Sequence, residues 1–502
     1  AKNNPMKPFY VTTPIYYVND KPHIGHAYTT ILADVLSRYH RNKGRDVFFL
    51  TGLDEHGQKV QQAAEERGVE PKIHCDEMAP RFIELWDELH IQYDDFIRTT
   101  EKRHVDVVQN ILQKVYDKGD IYEDNYEGLY SVSEERFITE KEADSGDFRD
   151  IKKLKEKNYF FKMSKYQEKL ISHIENNSKF IQPVHRKNEV LGFLKSPLND
   201  LCISRPKSRL NWGIELPFDS DYVTYVWFDA LINYVSALGF DSDEKKYNTY
   251  WPANLHLIGK DILTTHSVYW PTMLLSAGIK LPKTIFAHGW WLNDQSKMSK
   301  SVGNVVDPLE LIKSYGVDPV RFYLMKEMVL GQDSNFSIES FVKCYNNDLA
   351  NDFGNLLSRV SNLINKFYNG ILVEGEDLSE DGKIVKGCAI ETIDKVSKLM
   401  DEMKIDDAID SVFLLIKNVN KFLEVTVPWK VVKTDLKKGG ALLFTAAESL
   451  RIIALLLAPI MPNRTALVLE TLNTKNTEIY WGGLVIGSKI KTHKPLFPRI
   501  EL

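Results

Sequence analysis

A ten-residue run, Phe9 to Val18 (FYVTTPIYYV), is largely β-branched and aromatic and reads as a buried strand. Four turn-like residues later, His23-Ile24-Gly25-His26 opens a segment with apolar residues at Ala27, Tyr28, Ile31, Leu32, Val35, Leu36 and Tyr39. That spacing is one stripe of a helix. Gly44 closes the helix, and Val47 to Leu50 (VFFL) reads as a second buried strand. Helical patterns follow around Pro80 to Leu89 and Val105 to Tyr116. A buried strand, a helix and another buried strand in that order predict an open α/β sheet with parallel strands.

The rhythm breaks between about Gly119 and Trp212, where short mixed segments, the acidic EKEADSGD and the lysine-rich KKLKEK read as an insertion. It then resumes with Leu255 to Ile258 as a strand, Ile262 to Leu275 as a helix and Thr284 to Ala287 as a strand. One α/β domain split by an insertion accounts for this better than two unrelated domains. From about Asp318 the pattern is helical. Phe353, Leu356, Leu357, Val360, Leu363, Ile364 and Phe367 form one stripe, and Ala408, Ile409, Val412, Phe413, Leu415, Ile416, Val419 and Phe422 another. A helical bundle is expected there.

With 502 residues the chain exceeds one compact core and is expected to split into about three domains. Its 64 basic and 69 acidic residues exclude a globally basic nucleic-acid coat, although not a local basic strip. The cysteines at 75, 202, 344 and 388 are too scattered for a disulfide scaffold or a CxxC knuckle. The most apolar run, Ile452 to Met461, is shorter than the roughly 20 residues of a membrane span. No cationic stretch leads into an apolar one at the start, so no signal peptide is expected. These features predict a soluble protein of a reducing, intracellular compartment.

Two short motifs carry chemistry. His23-Ile24-Gly25-His26 sits where a strand gives way to a helix N-terminus, whose free N–H groups and positive dipole end suit a phosphate. The same four residues also suit a helix-capping loop. Lys297-Met298-Ser299-Lys300-Ser301 offers two lysines to a polyphosphate, or is a solvated surface loop. In this order, flanking a split α/β domain, HIGH and KMSKS resemble the class I aminoacyl-tRNA synthetases, and within them the methionyl-tRNA synthetases. The likeness extends through TPIYYVNDKPHIGHAYTT, FLTGLDEHGQK, YVTYVWFDALINY, LIGKDI, KMSKSVGNVVDP and NDFGNLLSR, from about Phe9 to the C-terminus.

The resemblance implies a split Rossmann-like catalytic domain at 1–118 and 212–292, interrupted by a connective insertion at 119–211. It further implies a KMSKS and stem-contact region at 293–350, a helical anticodon-binding domain at 351–475 and a tail packing back at 476–502. The implied activity is ligation of L-methionine to tRNA(Met), initiator tRNA included, through an adenylate, with ATP as substrate accompanied by Mg2+. His23, Gly25, His26, Gly259, Lys260 and Asp261 match the family's ATP site, and Lys297 and Lys300 the loop that stabilises departing pyrophosphate. Ile15, Tyr17, Asp54, Trp227, Ala230, Leu231, Tyr234 and His266 match its methionine site. In that site Asp54 would hold the ammonium, and Tyr234 or His266 would mark the sulfur. Taken by themselves, Trp227 and Tyr234 also suit ordinary core and Asp54 a helix cap. Asn355, Arg359 and Trp429 match the readers of the anticodon, by hydrogen bonds and by stacking.

Rival readings weaken on the same residues. A branched-chain synthetase would carry a larger insertion, and a cysteine enzyme would carry zinc-ligating cysteines. A small nucleotidyltransferase leaves KMSKS and the bundle unexplained. A degenerate tRNA-binding relative should have lost His23, His26 or Lys300. One departure from the family stands out: Ser131 and Glu134 occupy the place of a zinc-binding CxxC pair, so no structural zinc is expected. The chain ends just past the expected bundle and tail, without the extra C-terminal dimerisation module of some relatives, so a monomer is expected; the absence of a transit-like leader predicts a cytoplasmic location, and no membrane partner is expected.

Overall fold

The computed structural model describes residues 6–19, 21–134, 136–293, 296–297 and 306–501, in two compact units, 1–290 and 291–502. Lys300 and the side chain of Lys297 lie outside what is described.

The first unit is built on a six-stranded sheet in which every pairing is parallel. Its first strand, β1 (Pro8–Tyr17), leads into helix α1 (Ile24–Asn42) and back to β2 (Asp46–Asp54). Helices α2 (Gln58–Glu66) and α3 (Pro71–Glu88), strand β3 (Asp95–Arg98) and helix α4 (Lys102–Asp117) follow. Across the sheet the order is β3, β2, β1, Leu255–Gly259, Ile285–His288 and Ile181–Gln182. The chain therefore winds outward in opposite directions from the pair β1 and Leu255–Gly259. A crevice opens beyond the carboxyl ends of strands at such a reversal, and ligands bind there.

The register of β1 against β2 shifts between Thr12 and Ile15. Pro14 lies in that gap and has no N–H to give the ladder, while Thr13 turns its hydroxyl onto the Pro14 carbonyl at 2.7 Å. Before the irregularity β1 is buried on both faces; after it, burial alternates, leaving Ile15 and Tyr17 half-buried. A local irregularity thus turns two side chains toward the crevice end of a core strand.

The stretch 119–211 is not one inserted unit. Ile121–Ser131, Arg136–Ile138, Ile151–Phe161 and Leu201–Cys202 form a separate antiparallel sheet. Ile181–Gln182, by contrast, pairs with Ile285–His288 as the outer strand of the parallel sheet. The flanking helices Gln167–Asn176 and Val184–Phe193 bury Leu170, Ile174 and Val190 in the same core as Leu50 and Ile97. A two-residue strand between mixed polar flanks carries no periodicity, which is why the sequence reads as unbroken insertion there. The helix expected over Ile262 to Leu275 is also interrupted, by a π-helical turn at Thr265–Tyr269 before Trp270–Ala277.

The second unit pairs a small sheet, Trp291–Asn293 with Ser296–Lys297 and Ser334–Asn335, with a helical bundle. Its longest helices are Glu380–Asp401, Ile405–Thr426 and Leu436–Leu457. The last has a mean hydropathy of 1.8 and the length to cross a membrane, but 94% of that window is buried inside the protein. It is a core helix. Within it the Glu448 carboxylate accepts the N–H groups of Gly482, Gly483 and Leu484, and Arg451 donates to the carbonyls of Asn476, Glu478 and Tyr480. That buried ion pair ties the tail from Asn476 onto the bundle.

Candidate active site

His23 is the N-cap of α1, and the two imidazoles complete the cap between them. The Gly25 N–H donates to His23 Nδ1 at 3.0 Å, and the His23 N–H donates to His26 Nδ1 at 3.0 Å. An Nδ1 that accepts carries no proton, so each neutral ring keeps its proton on Nε2. His26 is wedged against the rings of His23, Tyr16 and Phe82. Burial first, and the neighbouring His23 second, hold its pKa well below the ordinary imidazole value. Capping and phosphate binding are thus compatible in the same four residues: the cap sets the tautomers and puts each ring's N–H on Nε2 at a helix N-terminus. A Cβ on Gly25 would meet His23 Cε1 at 2.7 Å, so only glycine permits the ring to fold back onto its own cap.

Across the strand reversal, Gly259, Lys260 and Asp261 leave the end of Leu255–Gly259. A Cβ on Gly259 would come within 2.6 Å of Asp261 Oδ1. The Lys260 ammonium lies 4.1 Å from the Trp290 ring centroid, and Trp290 Nε1 donates to Asp261 Oδ1 at 3.4 Å. His288, at the end of the neighbouring strand, is 2.7 Å from Gly289 O through Nδ1 and from Thr29 Oγ1 through Nε2. It joins that strand to α1, and sequence reasoning passed over it.

The residues matched to methionine gather around one core. Tyr17 faces Asp54 in register at the ends of β1 and β2. The Tyr17 and Trp227 rings meet edge-to-face at 6.4 Å. Ile15, Tyr17 and Trp227 pack as partly buried residues against the cluster that holds Leu231 and Tyr234, and Ala230 is buried on the helix of Trp227. Tyr234 Oη lies 2.7 Å from His266 Nε2, while His266 Nδ1 lies 3.0 Å from the Ile262 carbonyl. Since only Nδ1–H can satisfy a carbonyl, Nε2 accepts from the tyrosine. Of the two groups expected as alternatives to mark a sulfur, the Tyr234 proton is therefore given to His266 Nε2 and the His266 proton to the Ile262 carbonyl. Burial lowers the His266 pKa to about 4.

Several partners of this site were not singled out from the sequence. Glu55, next to Asp54, is fully buried and accepts from Arg98 Nη2 at 2.8 Å and Thr100 Oγ1 at 2.7 Å. His56 pairs through Nδ1 with Asp229 Oδ2 at 2.7 Å, and His104 through Nε2 with Asp229 Oδ1 at 2.7 Å. The available signal was Asp229 itself, a carboxylate inside the apolar run VWFDALINYV.

In the second unit Arg359 and Trp429 are brought together, the guanidinium 5.4 Å from the indole centroid. Arg359 also pairs with Glu424 at 2.7 Å. Asn355 is exposed one turn before it on the same helix. Where a zinc knuckle was expected to be replaced, Ser131 Oγ accepts the Glu134 N–H at 3.1 Å. Arg205 is buried between the rings of Tyr130 and Tyr225, 4.9 Å from each. Among the described residues no group of three or more His, Cys, Asp or Glu side chains has the arrangement of a metal site.

Residues 9–146 and 145–361 match the family of class I tRNA synthetases (M), and residues 374–493 match the anticodon-binding domain of methionyl tRNA ligase. A methionine–tRNA ligase of Clostridium tetani is 46% identical across 99% of this chain and 79% of its own. The chain belongs to the methionyl-tRNA synthetase family. A methionine–tRNA ligase of Bacillus subtilis is 43% identical across 98% of this chain and 78% of its own. The Mycobacterium tuberculosis methionyl-tRNA synthetase, solved in complex with methionyl-adenylate, superposes with a TM-score of 0.95. It is 39% identical over 98% of this chain and 100% of its own. The methionyl-tRNA synthetase fold accounts for the split parallel sheet and the helical anticodon-binding domain alike.

Proposed function

We propose an assignment of roles for the activity of this methionyl-tRNA synthetase, the ATP-dependent ligation of L-methionine to tRNA(Met). The methionine carboxylate attacks the α-phosphorus of ATP; the bond to the bridging oxygen breaks, giving methionyl-adenylate and pyrophosphate. A hydroxyl of the terminal tRNA adenosine then attacks the acyl carbon, and AMP leaves. No protein nucleophile takes part, so the chain acts by positioning and by stabilising charge.

The observation that carries the assignment is the mutual capping of His23 and His26. It supplies two fixed N–H donors at a helix N-terminus, beside a strand reversal. These donors bind ATP phosphate, with Gly25 admitting the ring geometry. Gly259, Lys260 and Asp261 contact the nucleotide. Lys300, with Lys297 in support, stabilises the departing pyrophosphate, and ATP enters as its Mg2+ complex. Asp54 takes the methionine ammonium. Ile15, Tyr17, Trp227, Ala230 and Leu231 wall the thioether, with Tyr234 and His266 at its base. Asn355, Arg359 and Trp429 read the anticodon, within a helical domain at 351–475.

The finer assignments follow the same reading: a cytoplasmic, zinc-free monomer that charges initiator tRNA(Met) as well, with a stem-contact region at 293–350. Four separated free thiols support a reducing compartment. Light scattering tests the monomer, metal analysis the absence of zinc, and charging of initiator transcripts the tRNA range.

Single-turnover adenylate formation tests the assignment itself. His26→Ala and Lys300→Ala should bind methionine nearly normally and form adenylate far more slowly. Unchanged rates would overturn the assigned roles.

A further inference from the structure

Trp227, Ala230 and Leu231 lie on one short helix, Val226–Leu231, which has no side-chain hydrogen bond at its N-cap. Six residues do not hold a helix in place by themselves, so its setting depends on tertiary contacts. At 3.6 residues per turn, positions 227, 230 and 231 share a face and 229 projects from the opposite one.

Asp229 is 1% exposed and both of its oxygens are occupied. Oδ2 lies 2.7 Å from His56 Nδ1 and Oδ1 lies 2.7 Å from His104 Nε2. His104 in turn meets Ser236 Oγ at 2.7 Å through Nδ1. Burial alone would raise the carboxyl's pKa, but His56 and His104 outweigh it and hold it below the ordinary value. Asp229 is therefore a carboxylate, and both imidazoles turn an N–H toward it. His56 stands two residues after Asp54, and between them Glu55 is anchored by Arg98 and Thr100. The Asp54-Glu55-His56 segment is thus locked on one side by Arg98 and on the other by Asp229.

We infer that Asp229 is a positioning residue for methionine: through His56 it clamps the helix of Trp227, Ala230 and Leu231 to the segment of Asp54, while His104, on α4, holds the carboxylate from its other oxygen. It sets the separation between the ammonium ligand and the thioether wall without touching substrate. The inference rests on the methionine assignments above. Among the described residues the side chains of the clamp contact one another, Ser236 and Trp212 rather than the capped imidazoles of α1 or the Gly259–Asp261 segment, so ATP binding should not feel its loss.

The asparagine of Asp229→Asn can accept from only one imidazole and must turn its amide N–H groups to the other. In ATP–pyrophosphate exchange, the folded variant should raise the KM for methionine about ten- to a hundredfold and leave the KM for ATP within about threefold. His104→Ala should shift the methionine KM in the same direction, and His104→Gln, which restores a donor to Oδ1, should recover most of it. If Asp229→Asn does not fold, the two His104 variants carry the test. A methionine KM that stays put in the folded variants would overturn the inference, as would equal rises in both KM values. Asp54→Asn separates the two levels. If it too leaves the methionine KM unchanged, the pocket assignment fails. If it raises that KM while the clamp variants do not, the clamp alone fails.

Discussion

The Tyr234 hydroxyl donates to Nε2 of His266 at 2.7 Å, with both side chains buried and the other imidazole nitrogen bonded to the Ile262 carbonyl. The pair is a closed polar contact, with Tyr234 in the apolar cluster that holds Leu231 and packs Trp227. Tyr234→Phe removes the donor and leaves a buried imidazole nitrogen unsatisfied. Urea denaturation should show a loss of about 1–3 kcal/mol. On the proposed methionine assignment, the KM for methionine should rise as that contact loosens.

Histidines buried neutral make stability depend on pH. His266 is lowered to about 4, and burial also depresses His26, His256 and His288. In the unfolded chain each titrates near 6.5. Between the two values the unfolded state binds more protons, so stability is complete above about pH 6.5 and falls as pH drops toward 4. For His266 the slope is about 1.4 kcal/mol per pH unit in that window. Denaturation midpoints should be level from pH 7 to 8.5 and decline steadily below 6.5.

Gly25→Ala forces the His23 ring off its cap, because the new methyl group meets it at 2.7 Å. Loss of one cap lowers stability by only about 0.5–2 kcal/mol. Adenylate formation should fall much further than that figure implies, since the Nε2 donors lose their orientation. Single-turnover kinetics beside a thermal melt distinguish the two effects.

Trp429→Ala separates the two halves of the reaction. Loss of a stacked base is worth about 1–3 kcal/mol, which should appear as a raised KM for tRNA in aminoacylation. Methionine-dependent ATP–pyrophosphate exchange without tRNA should remain unchanged.

The parallel sheet was legible because the β-branched and aromatic runs of β1 and β2 contrast with the single apolar stripe of α1 between them. Ile181–Gln182 was not, since two residues have none. The π-helical turn at Thr265–Tyr269 was hidden for a related reason: one extra residue in a turn leaves the local apolar pattern intact while rotating His266. At the site, His23, Gly25 and His26 were legible because capping is a contact between near neighbours. The Asp229 clamp joins residues 173 and 125 positions apart, and no short motif spans such distances. Arg359 and Trp429 came from family likeness alone, as an arginine on a helix and a tryptophan after a proline have commoner uses.

ATP–pyrophosphate exchange across all twenty amino acids tests the central claim most directly. Exchange should be strong with L-methionine and weak or absent with the others, including leucine, isoleucine and valine. Clear preference for another amino acid, or no exchange with any, would contradict it.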